Sequence, residues 1–383
     1  MAHWVSGDGH HCDQQDGIAA MKVLAALSGG VDSAVAAALA QQAGHDVVAV
    51  HMALSRNRSG SRTAARGCCT IEDATDAGRA AAVLGIPYYV WDLSERFVAE
   101  VVDDFVAEYR AGHTPNPCAR CNERIKFAAL LDKALALGFD AVATGHYAVL
   151  EHPGGGEPEL YRAADAAKDQ SYVLAVVPRD RLRHALFPLG SMPSKGAVRA
   201  LATERGLPVA AKPDSHDICF IPDGDTRGWL AARVCQQPGE IRDSTGAVVG
   251  THDGAAGYTI GQRRGLRIGR PAPDGQPRYV LDVSVTTNTV TVGSADELLT
   301  DEVAATGPVW LARIPEPGAQ VSAQIRAHGK AHPAEIAVAT ETAVTVHLHD
   351  PIPRVAAGQT LVVYDGDRVL GSGTVTAVSA GSC

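Results

Sequence analysis

Long hydrophobic runs are missing from this chain. No apolar stretch among its 383 residues approaches the roughly 20 that a helix needs to cross a bilayer, so no membrane partner is expected. Cysteine is scarce as well: eight in a chain of this length are too few for a disulfide scaffold. Residues 1–20 lack the apolar core of an export signal and carry His10, His11 and several acids. They read as a disordered extension, or a start set upstream of Met21. The expected location is cytoplasmic, where a close cysteine pair signals metal or catalysis. Positive charge is in deficit too. A net charge of −9 excludes a protein that coats nucleic acid over its whole surface, but screening leaves room for a local basic footprint. One candidate lies between Gly257 and Tyr279, where Arg263, Arg264, Arg267, Arg270 and Arg278 face a single acid, Asp274. On charge pattern alone it reads equally as a solvated loop face.

The composition that remains, 46% hydrophobic and 20% charged, is that of a globular protein of two or three domains. Apolar runs at Lys22–Leu27, Val47–His51, Pro87–Trp91 and Ala141–Thr144 alternate with helical patterns at Ser33–Ala43, Ile71–Leu84, Phe97–Ala111 and Ile125–Leu137. Alternation of this kind predicts an α/β domain with a parallel sheet covered on both faces. A Pro/Gly-rich stretch at His152–Glu159 predicts a surface hairpin. After Pro208 the helical patterns give way to Gly, Pro and Asp. From Asp282 short β-rich runs follow, beginning with Val280–Val285 and Thr289–Val292 and ending with Thr374–Val378. The expected plan is an extension (1–20), an α/β catalytic domain (21–207), a small central domain (208–281) and a C-terminal β-barrel (282–383).

Between the first strand and the first helix stands Ser28-Gly29-Gly30-Val31-Asp32-Ser33. Glycine lets backbone approach an anion closely, and a helix N-terminus directs N–H groups and positive dipole at it. Ser28 and Ser33 add hydroxyls, and Asp32 is placed to help hold a magnesium ion between phosphates. A Walker loop would carry a lysine after its second glycine, and the dinucleotide fingerprint spaces its glycines differently. Met52 and Gly145, at the carboxyl ends of two strands, fall on the edge where such sheets bind nucleotides.

A second stretch, Thr114-Pro115-Asn116-Pro117-Cys118-Ala119-Arg120-Cys121-Asn122, stops one helix and opens another. Cys121 is therefore expected near a helix N-terminus, which favours its thiolate. Alone, the Cys-x-x-Cys reads as half a zinc site or a redox pair. Cys219 lies between apolar residues in Ile218-Cys219-Phe220-Ile221, a setting that also suits a buried, inert thiol.

Taken in order, the phosphate loop, Asn116-Pro117…Cys121-Asn122, Ala143-Thr144-Gly145-His146-Tyr147, Lys168-Asp169-Gln170-Ser171-Tyr172, Ser215-His216-Asp217-Ile218-Cys219-Phe220 and Thr259-Ile260-Gly261-Gln262-Arg263 resemble the bacterial tRNA-specific 2-thiouridylases, the MnmA family. The resemblance runs from about Met21 to the end. It implies an N-terminal ATP-pyrophosphatase domain, a small central domain and a C-terminal β-barrel, all contacting tRNA. It implies ATP with Mg2+ as the activating reagent, and as substrate the wobble uridine of Lys/Glu/Gln-type tRNAs in their anticodon region. It further implies a partner protein that donates persulfide sulfur. Position by position, Cys121 matches the nucleophile and Cys219 the persulfide carrier. Ala26, Leu27, Ser28, Gly29, Gly30, Val31, Asp32, Ser33, Met52 and Gly145 match nucleotide contacts. Asn116, Pro117 and Cys118 match the segment beside the target base, and His146, Lys168, Asp169, Gln170, Arg326 and Gln359 match tRNA contacts. Arg263 and Arg264 join these on charge alone. The chain departs from the commoner pattern at Cys118, where many members have Asp, and at Ala327, where an aromatic often stands.

The Cys118 departure opens a second sulfur route, in which Cys118, Cys121 and Cys219 would ligate a 4Fe–4S cluster with one open iron. Zinc at the same thiols is a third arrangement. Cys68 and Cys69, adjacent in a loop, read as bystanders, with either able to act as a fourth ligand. A ligase amidating a small carboxylate would use the same loop but leaves the cysteines and arginines unexplained. A non-catalytic RNA-binding or metal-storage protein would leave the loop without a purpose.

Overall fold

The computed structural model describes residues 20–55, 70–214, 218–221, 224–234, 237–266, 268 and 275–376. The expected N-terminal extension, Cys68, Cys69, Ser215, His216, Asp217, Arg267 and Arg270 lie outside these, apart from Ala20. In chain order the first part runs β1 (Lys22–Ala26), α1 (Val31–Gln42), β2 (Asp46–Ala53), α2 (Ile71–Leu84), β3 (Tyr88–Asp92), two long helices, β4 (Ala141–Ala143), a hairpin of β5 (Val149–Glu151) and β6 (Glu159–Tyr161), and β7 (Ala185–Leu186). The first long helix joins Ser94–Phe97, a π-helical Val98–Val102 and Asp103–Arg110 without a break; the second joins Pro117–Arg120, a π-helical Cys121–Leu130 and Leu131–Ala136.

Five of these strands form a parallel sheet in the order β3-β2-β1-β4-β7. Alanines at positions 34, 36, 37 and 38 are buried, and their small side chains let α1 lie close on the sheet. Thr70 starts α2 with a reciprocal capping box to Asp73, and Gly85 ends it in the left-handed region. Strand order reverses between β1 and β4, so the loops after these two strands flank a crevice at their carboxyl ends.

The central part holds a four-stranded sheet ordered β10-β11-β8-β9, from β8 (Gly239–Asp243), β9 (Val248–His252), β10 (Tyr279–Ser284) and β11 (Thr289–Gly293). This corrects one expectation: the runs at 280–285 and 289–292 do not open the barrel. β11 pairs in parallel with β8, and Val280, Val290 and Val292 share a core with Ile241 and Tyr258.

The barrel has six strands: β12 (Leu299–Trp310), β13 (Gln320–Gln324), β14 (His332–Ala339), β15 (Ala343–Pro353), β16 (Thr360–Asp365) and β17 (Arg368–Val375). They pair in the order β12-β15-β14-β13-β16-β17, and β12 also pairs with β17, which closes the cylinder. The β5–β6 hairpin, expected at the surface, attaches to the barrel through β17. One core runs across this junction, packing Phe127, Leu160, Tyr172 and Leu182 of the first part with Leu311, Val362, Tyr364 and Val369 of the barrel.

Candidate active site

The phosphate loop is shaped by its own hydroxyls and by what its glycines exclude. Ser33 Oγ accepts the Ser28 N–H and donates to the Gly30 carbonyl, each at 3.1 Å, so its hydroxyl braces the turn from inside. Gly29 has φ +83°, and a Cβ there would stand 2.3 Å from the Asp73 carbonyl oxygen. A Cβ on Gly145 would stand 2.6 Å from the Ser33 nitrogen, so the loops after β1 and β4 meet in backbone contact. Gly30 N-caps α1 without a side-chain hydrogen bond, leaving the first-turn N–H groups without a capping side chain. Ser28 is exposed and Gly30 and Asp32 half-exposed, whereas Ala26, Leu27, Gly29 and Val31 are buried and meet a ligand only through backbone. Met52 packs beside the neighbouring apolar cluster of Leu54, Phe97, Val101 and Ile125.

Sequence reasoning missed the charges around Asp32. Lys195 Nζ donates to both its carboxylate oxygens (2.7 and 2.6 Å), and the Tyr147 hydroxyl donates to Oδ1 (2.6 Å). Lys195 also reaches Asp214 at 2.9 Å, which Lys168 (3.0 Å) and Arg199 (2.8 Å) hold as well. Partial burial pushes the Asp214 carboxyl up, but the Lys195 and Lys168 hydrogen bonds outweigh it and bring its pKa to about 2. Asp32 is thus engaged by an ammonium and a phenol. Burial, then the Asp32 bond, drives the Tyr147 phenol far above its usual range, so it stays a donor. No local signal marks these partners: Lys195 and Asp32 are 163 positions apart.

The second long helix sets out the Cys-x-x-Cys. Asn116 caps it, its side-chain oxygen accepting the N–H groups of Cys118 (3.0 Å) and Ala119 (3.2 Å). Cys118 is exposed; Cys121, one turn on, is half-buried. Cys121, Cys219, Met52 and Phe220 pack against the same cluster of Leu54, Phe97, Val101 and Ile125, so the two cysteines expected to do the chemistry meet one apolar surface. Phe220 anchors its segment among Phe97, Phe105 and Trp229, with ring centroids 5.3–6.0 Å away.

A cavity of about 460 Å³ opens beside Cys118. Its wall includes Asn116, Pro117 and Cys118 from the helix start, Asp169 and Gln170, Ile218 and Ile221 on either side of Cys219, and Ala327 and His328 from the barrel. Three separate stretches picked out in the sequence thus border one space. Side chains matched to tRNA contacts also have partners within the chain. Asp169 accepts from Arg162, Ser171 and the Ala163 N–H, with its side chain 7% exposed, and Gln170 is bonded to the Tyr147 backbone. Lys168 is spent on Asp214, and Gln359 donates to the Thr114 carbonyl. His146 is buried between Phe127 and Phe187 and bonded to Thr144. Burial, then Lys126, holds its pKa well below 6.5, so it is neutral and shows little surface to a nucleic acid. Arg263, Arg264 and Arg326 are exposed.

Among the described residues no three His, Cys, Asp or Glu side chains gather as a metal-ligand set. Cys118 lines the cavity, while Cys121 and Cys219 pack on the apolar cluster.

Three family descriptions match the chain in series: a tRNA methyl transferase HUP domain over residues 21–223, a tRNA methyl transferase PRC-barrel domain over 227–294 and an aminomethyltransferase β-barrel domain over 300–375. A tRNA-specific 2-thiouridylase of Beutenbergia cavernae is 62% identical over 93% of this chain and 95% of its own. One of Clavibacter michiganensis is 61% identical over 93% of each. Among solved structures, a 4-thiouridine synthetase–RNA complex with bound ATP aligns with 52% of this chain and 45% of its own at 17% identity, with a TM-score of 0.33.

Proposed function

Because the chain belongs to the family of tRNA-specific 2-thiouridylases, we propose that it adenylates the C2 oxygen of a tRNA wobble uridine and replaces it with sulfur. The observation that carries this reading is the shared cavity, bordered by Cys118 and by both neighbours of the Cys219–Phe220 pair, and linked to the phosphate loop through Lys168, Asp214, Lys195 and Asp32. A uridine C2 carbonyl is a weak electrophile with no usable leaving group. Attack of its oxygen on the α-phosphate of ATP expels pyrophosphate and installs AMP as the group to be displaced.

Sulfur arrives on Cys219 as a persulfide from a donor protein. The Cys121 thiolate attacks the Cys219 inner sulfur, forming a Cys121–Cys219 disulfide and releasing sulfide, which adds to C2 and expels AMP. External thiol then reduces the disulfide, a transient bond compatible with the cytoplasm. The apolar surface shared by the two cysteines supports their approach. Exposed Arg263, Arg264 and Arg326 are suited to tRNA phosphates; Asn116, Asp169, Gln170 and His146 serve by fixing the walls of the base pocket. Mg2+ would enter with ATP and offset part of its phosphate charge.

Two of the matched family descriptions name methyl transfer instead, a reaction that needs neither an anion-binding loop nor paired thiols. ATP–pyrophosphate exchange with and without tRNA, followed by mass analysis of the tRNA, separates the readings. The expected result is tRNA-dependent exchange and a sulfur-for-oxygen uridine. Exchange driven by a small carboxylate alone, or methylated tRNA formed from S-adenosylmethionine, would overturn the proposal.

A further inference from the structure

The loop carries no lysine of its own, yet an ammonium sits on it. We propose that Lys195 is the phosphate-neutralising cation of this site, contacting the β-phosphate of ATP and then the departing pyrophosphate. The inference rests on the adenylation reading given above.

Lys195 opens the helix Lys195–Glu204, capped by Ser194, and its backbone N–H is fixed by Asp165 Oδ2 at 3.0 Å. From there its side chain reaches back to Asp32 in the first turn of α1 and to Asp214, and it is only 14% exposed. The neighbouring cations are committed elsewhere. Arg199 donates to the carbonyls of Ala210 and Lys212 as well as to Asp214, and Lys168 reaches Asp214 from a more exposed position. Lys212 is tied to Asp73 and Asp76. Lys195 alone among these touches the loop. Before ATP arrives, Asp32 and Asp214 balance its charge; the polyphosphate adds about four negative charges beside the α1 N-terminus and gives the ammonium a stronger acceptor.

In the step itself, the uridine O2 forms a bond to the α-phosphorus and the uridine N3 proton passes to solvent. The α-phosphorus–oxygen bond to the β-phosphate breaks, its electron pair leaving with pyrophosphate. Lys195 keeps its proton and stabilises the charge that develops on that oxygen.

The test compares wild type with Lys195→Met, Lys195→Arg and the double variant Lys195→Met/Asp214→Asn, which removes the ammonium together with one of the two acids it neutralises. Inorganic pyrophosphate and AMP are titrated by calorimetry, alongside tRNA-dependent exchange and melting temperature. Lys195→Met should weaken pyrophosphate binding and slow exchange by about 100-fold, leaving AMP and tRNA binding within about twofold, with partial rescue by arginine. The double variant should restore the melting temperature but not the pyrophosphate affinity. Equal loss of AMP and pyrophosphate, or pyrophosphate binding unchanged in the Met variant, would overturn the assignment. Wild-type protein that binds pyrophosphate through Lys195 yet shows no tRNA-dependent exchange would sink the adenylation reading and with it the transition-state role, while the phosphate contact would stand.

Discussion

At the nucleotide end of the molecule, position is enforced by backbone that leaves no room for an added atom. Gly29 abuts the Asp73 carbonyl, Gly145 abuts the Ser33 nitrogen, and a cluster of ion pairs centred on Lys195 and Asp214 surrounds the loop. At the sulfur end, position comes from side-chain packing instead: Cys219 is carried by a segment whose Phe220 and Ile221 are set among aromatic and aliphatic neighbours. A phosphate site must present several N–H groups within a fraction of an ångström, which rigid backbone does well. A cysteine that meets a donor, a partner thiol and a substrate in turn gains from an anchor that lets the sulfur shift.

That contrast can be broken most sharply at the cysteines. Cys121→Ser and Cys219→Ser should each drop thiolation to background while tRNA-dependent pyrophosphate exchange continues, since an alcohol neither carries nor resolves a persulfide. Cys118→Ser should retain thiolation; its loss along with bound iron, in anaerobically purified protein, would favour the cluster route. Gly145→Ala should act at the other end. It should slow exchange by about 100-fold and cost about 1–3 kcal/mol of stability, read by denaturant titration, because the new methyl group meets backbone rather than a yielding side chain. Phe220→Ala should sit between the two, with thiolation about tenfold slower and exchange unchanged, as a displaced sulfur would produce. If exchange falls equally, the two ends are not separable.

The smaller effects concern charge. Arg263→Ala with Arg264→Ala should lower the slope of log tRNA affinity against log salt by about 1–2, with ATP affinity unaltered, measured by filter binding. His146 gives a pH signature. Its folded pKa lies below 6.5, so below about pH 6.5 the unfolded chain binds a proton that the folded chain refuses. Stability should therefore fall with decreasing pH by up to about 1.4 kcal/mol per pH unit, and His146→Gln should flatten that slope.

Much of this was legible in the sequence where the signal is local. The phosphate loop needs only a strand, two glycines and a helix start in succession, and the structure places them so. The Cys-x-x-Cys at a helix start follows from the prolines before it, and the parallel sheet from strands alternating with helices. What escaped depends on partners far along the chain. β10 and β11 have good strand patterns, but a pattern of alternating residues carries no information about which strand lies alongside, and their partner proved to be β8. β12 carries no clear strand pattern, because Thr300, Asp301, Glu302, Gly307 and Pro308 dilute its apolar alternation. His146 and the Asp169 side chain, matched to tRNA contacts by their motifs, are held by partners inside the chain that the motifs do not reveal. Lys195 gave no sign at all, since its meaning lies in Asp32.

The core shared across the barrel junction has a consequence for how the protein is made. Leu160, Leu174 and Tyr172 are buried against Val362, Tyr364 and Val369, and the Tyr172 hydroxyl donates to the Thr360 carbonyl. A chain emerging from the ribosome N-terminus first therefore completes its α/β half only when β16 and β17 have been synthesised. Until then an apolar face waits uncovered beside an otherwise finished nucleotide site. Stop codons or frameshifts late in the coding sequence should consequently yield aggregating chains, not a clipped enzyme with a working ATP domain.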